Sequence, residues 1–356
     1  MNNTFFAALT SFVISVATIP LIIKFSKNKN LDIPRRRKIH KREMPSMGGI
    51  GIYLGFLVSS LLWSNFLNNT EMKFIMASST IIFLLGAVDD TANLSPVAKL
   101  MGQLIAIGLI VLLIDVRLKS FYGLFNSMDL PLWFSYCLTI FTMIIITNSF
   151  NLIDGLDGLA GTIAIISLTT FGIWFSQAGD SLYALLSFAL LGGVGAFLFF
   201  NWEPSKIFMG DTGSLLIGLM LSILTIHFIN ANDTLHPEAP VKFGASIATA
   251  ISIIIIPIVD TARVIMIRLR KKISPFTPDN RHVHHVLLQL GLPHRHAVIV
   301  LGVTHVFFIG LALLLQRYSD RVVLPAIAFV STTLCIILYR VMLQKRVAKD
   351  PDHVEL

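Results

Sequence analysis

Residues 148–160 read N-S-F-N-L-I-D-G-L-D-G-L-A and join two long apolar segments. Two amides (Asn148, Asn151), two carboxylates (Asp154, Asp157) and two glycines (Gly155, Gly158) stand between stretches that otherwise lack charge. At membrane depth such groups must face protein, water or a ligand, because an unpaired polar group in hydrocarbon costs several kcal/mol. The glycines interrupt a regular helix and let the backbone approach a ligand, while the four polar residues recur at every third position. Four oxygen donors on one short turn suit a hard cation such as Mg²⁺, or the polar edge of a nucleotide. The alternative is a tight turn in which Asp157 caps the next helix, a task that needs only one acid.

The rest of the chain supplies the membrane. Of 356 residues 54% are apolar and 13% charged, and the mean hydropathy is +0.76. These values predict an all-α integral membrane protein and leave no soluble domain to bind nucleic acid. Eleven segments are long enough to span: 4–24, 47–67, 72–90, 97–115, 131–148, 158–176, 183–200, 213–229, 243–266, 297–316 and 321–341. Assigning loops alternately puts 22 of the 28 Lys and Arg on one side, leaving Lys73, Arg117, Lys119, Lys242, Arg317 and Arg321 on the other. The positive-inside rule makes the first side cytoplasmic, with the N-terminus outside and the C-terminus inside. The net charge of +8 then describes a cytoplasmic face suited to anionic lipids or phosphorylated substrates. Segment 4–24 reads as a retained anchor, having no basic residues before it and no small-residue cleavage site. Cys137 and Cys335 lie apart in apolar spans, so no disulfide framework or cysteine zinc site is expected. The whole of 1–356 reads as one polytopic domain containing a histidine-bearing loop at 267–297.

Three more polar groups fall on the cytoplasmic side. Span three ends at Asp89 and Asp90, two like charges at a helix C-terminus, where the dipole also opposes them. They call for a metal ion or Lys99 as compensation, and such a pair is a candidate general base. Residues 201–214, N-W-E-P-S-K-I-F-M-G-D-T-G-S, place Asp211 at the start of span eight as either a cap or a metal ligand, with Phe208 as a flat surface for a base. The loop after span nine ends in D-N-R-H-V-H-H, where Arg281, His282, His284 and His285 suit phosphate or sugar oxygens better than zinc, since no acid or thiol pattern accompanies them. Asp260 and Arg263 lie one turn apart inside span nine, as an ion pair or a substrate contact. Met47, Gly48 and Gly49, after Pro45 and Ser46, form a small-residue entry to span two that allows close approach of a substrate or a neighbouring helix. His227 and His305 read as packing residues.

One topology brings these groups to one membrane face, which points to Mg²⁺-dependent phosphoryl transfer between a soluble nucleotide and a lipid. A transporter would distribute its acids through both leaflets, and no G-x-x-x-x-G-K-[ST] nucleotide loop is present. The motifs D-D at 89–90, N-S-F-N-L-I-D-G-L-D-G-L at 148–159, F-M-G-D-T-G-S at 208–214 and S-P-F-T-P-D-N-R-H-V-H-H at 274–285 resemble, in order and over essentially the whole chain, the polyprenyl-phosphate N-acetylhexosamine-1-phosphate transferases. The H-x-H-H loop and the span count look most like the branch that transfers N-acetylglucosamine 1-phosphate to undecaprenyl phosphate, opening the synthesis of O-antigen, enterobacterial common antigen or wall teichoic acid. The peptidoglycan branch, acting on UDP-MurNAc-pentapeptide, usually has ten spans.

The resemblance implies an active site in a cleft at the cytoplasmic face of a bacterial inner membrane, with UDP-GlcNAc and undecaprenyl phosphate as substrates and UMP as product. UDP-GalNAc remains an alternative donor, and the resemblance allows a homodimer. It implies Mg²⁺, for which Mn²⁺ can substitute, held by Asp211 and Asn151. Asp89 and Asp90 would bind the metal or deprotonate the lipid phosphate. Asp154 would support the nucleotide or catalysis, Asp157 would contact uracil and Phe208 would stack on it. Arg281, His282, His284 and His285 would grip sugar and diphosphate. Relatives often place arginine directly after the loop aspartate, whereas here Asn280 separates Asp279 from Arg281. A single attack by the lipid phosphate is expected, with a covalent aspartyl intermediate as the alternative.

Overall fold

The computed structural model describes residues 2–28, 46–125, 129–272 and 282–349. Among them the chain is helical: α1 Asn2–Asn28, α2 Gly48–Trp63, α3 Thr70–Ala92, α4 Pro96–Gly108, α5 Leu132–Ile153, α6 Leu159–Gln177, α7 Ser181–Asn201, α8 Gly210–Thr234, α9 Ser246–Ile253, α10 Ile255–Arg270, α11 Val283–Gln289, α12 His294–Leu314 and α13 Asp320–Lys349. A π turn, Leu109–Leu113, extends α4. Large apolar side chains such as Phe5, Phe141, Phe199, Leu314 and Phe329 stand exposed around the outside, as expected of a surface solvated by lipid.

Among the described residues nine helices are long and apolar enough to cross a membrane, or ten if α9 and α10 count as one bent span. This is a multi-span membrane protein, but two of the eleven expected segments differ from straight spans. The segment expected at 47–67 forms α2, only 16 residues long, or about 24 Å at 1.5 Å per residue against a ~30 Å hydrocarbon core. The segment expected at 243–266 breaks at Ile254, where α9 and α10 meet at 86°. Pro257 explains the break. It has no N–H to return to the Ile253 carbonyl four residues back, and its ring crowds that carbonyl. Two other helices satisfy the freed oxygen: Ser167 Oγ of α6 donates to it at 2.6 Å and His305 Nε2 of α12 at 2.9 Å.

α8 is the axis of the bundle. It is almost wholly buried, with α2, α3, α5, α6 and α9 around it. Gly210, Ser214, Gly218 and Ser222 recur every fourth residue along it. In lipid, helices associate by close packing of such small residues and by interhelical hydrogen bonds, each worth about 0.6 kcal/mol on average. The approach is closest at its first turn, where a Cβ on Gly49 of α2 would lie 2.2 Å from the Gly213 nitrogen and one on Gly86 of α3 would lie 2.5 Å from the Asp211 carbonyl oxygen. Gly48 N–H and Gly49 N–H donate to the Phe208 and Met209 carbonyls. The small-residue entry to α2 therefore packs against a neighbouring helix.

Candidate active site

Three helix ends converge around the start of α8. α3 stops at Asn93, whose left-handed φ of 51° ends the helix. α4 begins at once, with Ser95 Oγ accepting the Ala98 N–H at 3.2 Å and Pro96 in the first turn. This short connection puts Lys99 beside the last turn of α3. Its Nζ lies 2.9 Å from Asp89 Oδ2 and 3.0 Å from Asp211 Oδ2, bridging two carboxylates from different helices. Asp89 Oδ1 also accepts the Leu94 N–H at 2.8 Å.

Asp90 looks another way, as adjacent helical residues must, being about 100° apart around the axis. Its Oδ1 accepts the Asp211 N–H at 2.9 Å, and its Oδ2 accepts the Thr212 N–H at 2.9 Å and the Thr212 hydroxyl at 2.6 Å. A carboxylate at the end of α3 thus caps α8 from outside and faces the positive end of its dipole. The compensation that the adjacent acids require is divided: Lys99 serves Asp89, and the α8 N-terminus serves Asp90. Asp211 lies in the first turn of α8 and makes no cap bond of its own. Its Oδ1 accepts Asn151 Nδ2 at 2.8 Å, and Asn151 Nδ2 also donates to Ser214 Oγ at 2.7 Å.

The turn 154–158 follows α5. Gly158 takes φ +80°, a conformation that glycine adopts without strain, and occupies the cap position of α6, so Asp157 stands one residue before the cap. Asn201, at the end of α7, fixes the turn by accepting the Gly158 N–H at 2.8 Å and donating to the Ile207 carbonyl at 2.8 Å. Asp157 is buried and Asp154 half-buried. Asn148 is not part of the donor set expected on this turn. It exchanges amide hydrogen bonds of 2.7 and 3.2 Å with Gln103 of α4 and so joins two helices. Phe208 is half-buried just before α8.

The histidines arrive on α11. His282 precedes it and is buried; His284 is 2% exposed, with its ring against the 154–158 turn, where a Cβ on Gly155 would lie 2.5 Å from His284 Nε2. Burial pushes the His284 imidazolium pKa down to about 3, helped by the neighbouring His285, so the ring is neutral. The His284 and His285 rings lie 4.3 Å apart. Arg281 lies outside the described residues, as do Pro45, Asp279 and Asn280.

The structure therefore brings Asp89, Asp90, Asn151 and Asp211 together, and docks His284 on the turn bearing Asp154 and Asp157. Among the described residues no three His, Cys, Asp or Glu side chains form a group that could hold a metal ion. The oxygen set at the α8 start is two carboxylates and one amide, and an ammonium already bridges the carboxylates. That donor chemistry fits a hard cation and not zinc. Thr212, Ser214 and Asn201 are supporting residues that sequence reasoning did not single out; their one signal was polarity at the ends of apolar spans.

Residues 72–229, α3 to α8, match the family described as glycosyl transferase family 4. The chain belongs to that family. A probable undecaprenyl-phosphate N-acetylglucosaminyl 1-phosphate transferase of Bacillus subtilis (strain 168) is 36% identical over 302 residues, covering 82% of this chain and 80% of the relative. The undecaprenyl-phosphate alpha-N-acetylglucosaminyl 1-phosphate transferase of Escherichia coli (strain K12) is 30% identical over 300 residues, 82% of this chain and 78% of the relative. A decaprenyl-phosphate N-acetylglucosaminephosphotransferase of Mycobacterium tuberculosis (strain ATCC 25618 / H37Rv) is 32% identical over 320 residues, with the same two shares. The family 4 match ends before α9, so the elbow, α10 and the histidines lie beyond it.

Proposed function

We propose that this family 4 protein transfers N-acetylglucosamine 1-phosphate from UDP-GlcNAc to undecaprenyl phosphate at the cytoplasmic face of a bacterial inner membrane. The observation that carries the reading is the carboxylate pair Asp89 and Asp211, delivered by two helix ends to one ammonium beside the polar turn. Relatives at 30–36% identity bear names for this transfer.

In the reaction an oxygen of the lipid phosphate attacks the phosphorus bonded to the sugar. The P–O bond to UMP breaks, and UMP leaves with the electron pair. Asp89, Asp211 and the Asn151 amide oxygen would hold Mg²⁺, or Mn²⁺ in its place, which when bound neutralises charge on the diphosphate. Lys99 adds positive charge beside that point, and the Asp89 carboxylate, where it does not hold the metal, would take a proton from the acceptor phosphate. Asp90, engaged on the α8 backbone, positions Asp211. Asp154 and Asp157 would meet the nucleoside with Phe208 against the base, while His282, His284, His285 and Arg281 would hold sugar and diphosphate.

The test is UMP release by purified protein with undecaprenyl phosphate and Mg²⁺, offered UDP-GlcNAc, UDP-GalNAc or UDP-MurNAc-pentapeptide. Release with UDP-GlcNAc alone is expected, and full chelation should abolish it. Release only with another donor would reassign the sugar, activity surviving chelation would remove the metal, and silence with all three donors would overturn the reading.

A further inference from the structure

α10 carries one buried acid that the reaction outlined above does not use. Asp260 is 4% exposed, and its carboxylate gathers three donors: Arg263 Nη2 from its own helix at 3.2 Å, His282 Nδ1 at 2.9 Å and the Val283 N–H at 2.8 Å. The last two belong to the histidine segment, 22 and 23 residues further along the chain. The ion pair visible in the sequence is therefore half of the arrangement.

Two consequences follow from the chemistry. A carboxylate on Nδ1 fixes the His282 proton there and leaves Nε2 as the atom directed elsewhere, an acceptor when the ring is neutral and a donor when it is protonated. Holding both the His282 ring and the Val283 N–H also fixes the position and rotation of the short helix α11. This matters because His284 cannot fix itself: both ring nitrogens lack a hydrogen-bond partner among the described residues, and the ring is held by packing against Gly155. α11 is thus clamped between the catalytic turn on one side and Asp260 on the other.

We propose that Asp260 is a positioning residue of the transferase site, setting the tautomer of His282 and the register of His282, His284 and His285 against the sugar diphosphate. It touches neither substrate. The proposal rests on the function given above for its kinetic part, but its structural part does not.

Asp260→Asn keeps the shape and one acceptor oxygen but removes the charge that selects the Nδ1–H tautomer. Because small misplacements of binding groups are expensive, KM for UDP-GlcNAc should rise by about ten- to a hundred-fold. KM for undecaprenyl phosphate should stay near wild type, while the melting temperature falls because Arg263 loses the charge of its carboxylate partner. Asp260→Asn combined with His282→Ala should be no worse than His282→Ala alone, since both changes break one link. ¹⁵N spectra of histidine-labelled protein should show the His282 proton on Nδ1 in the wild type and lost from that position in Asp260→Asn. Additive losses, equal losses for both substrates, or an unchanged His282 spectrum would each overturn the proposal. If no donor yields UMP, the functional reading fails and the spectra still decide the role of Asp260.

Discussion

Replacing Asp90 by asparagine separates a carboxylate that reacts from one that builds the site. The wild-type side chain is 5% exposed and accepts two backbone N–H groups and one hydroxyl at 2.6–2.9 Å. Asparagine offers one acceptor oxygen and one NH₂. In either orientation the NH₂ faces a backbone N–H of α8, donor against donor, so at least one buried N–H goes unsatisfied. That costs about 1–3 kcal/mol. Removing the negative charge from the start of α8 adds about 0.3–1 kcal/mol, and up to ~2 in a partly buried setting. A total near 3 kcal/mol falls on the turn that carries Asp211, whose carboxylate meets Asn151 and Lys99 at 2.8 and 3.0 Å. Asp90→Asn should therefore lower the thermal unfolding temperature in detergent and UMP release together. Thr212→Val, which removes only the 2.6 Å hydroxyl bond, should lose about 1 kcal/mol. Asp89→Asn, which leaves α8 capped, should lose turnover with little change in melting. A variant of Asp90 that melts like the wild type and loses only turnover would refute the capping role and make Asp90 a reacting or metal-binding group.

Gly155→Ala would set a methyl 2.5 Å from His284 Nε2, whereas Gly108→Ala meets nothing within 4 Å among the described residues; the first should raise KM for UDP-GlcNAc about tenfold or more and the second should be silent in the same assay. Asp211→Asn should reduce UMP release far more than Asp180→Asn. Asp180 lies at the opposite end, where it caps α7 through the Tyr183 N–H and meets His227 Nε2 at 2.6 Å, so its loss should appear in melting temperature. His284, with a folded pKa near 3, favours the docked state fully only above its unfolded value of about 6.5. As pH falls the undocked state binds the extra proton, so docking should weaken by about 2 kcal/mol at pH 5. Amide protection along α11, corrected for the slower intrinsic exchange at low pH, should fall between pH 7 and 5 in the wild type and not in His284→Phe, and an equal fall in both would exclude His284 as the cause.

The features legible in the sequence were those written in composition and local spacing. Long apolar runs declare membrane helices, and acids at the ends of alternate runs must share a face once those runs cross. Partnership between distant segments was not legible. Asp89 and Asp90 look equivalent in a sequence, yet rotation about α3 sends one to Lys99 and the other to a helix start 121 residues away. Asn148 keeps the three-residue spacing of the polar turn, but it still lies within α5, where Gln103 of α4 reaches it first. The glycines of α2 admitted either a ligand or a helix, and only the packing of α8 decides for the helix. Arg281 and the proline-rich loop before it lie outside the described residues, and among the described residues the fourth motif reaches the site through its histidines.

The elbow between α9 and α10 shows how a residue deep in the bundle governs the site at its surface. In one straight helix through 246–270, Asp260 would continue the line of α9. Pro257 removes one backbone donor, and the orphaned Ile253 carbonyl would be costly in an apolar interior. Ser167 and His305 satisfy it from two flanking helices, so the bend is held from outside the bent segment. The turn of 86° redirects α10. α10 then packs against α5 and α12, and Asp260 lies beside the start of α11. α5 ends in the 154–158 turn, and α11 returns to that turn through His284 and Gly155. The path from Pro257 to Asp260 to the histidines therefore closes on the same turn that Asn151 links to Asp211. His305, read from the sequence as a satisfied packing residue, is hydrogen-bonded to the Ile253 carbonyl and so holds one corner of that circuit.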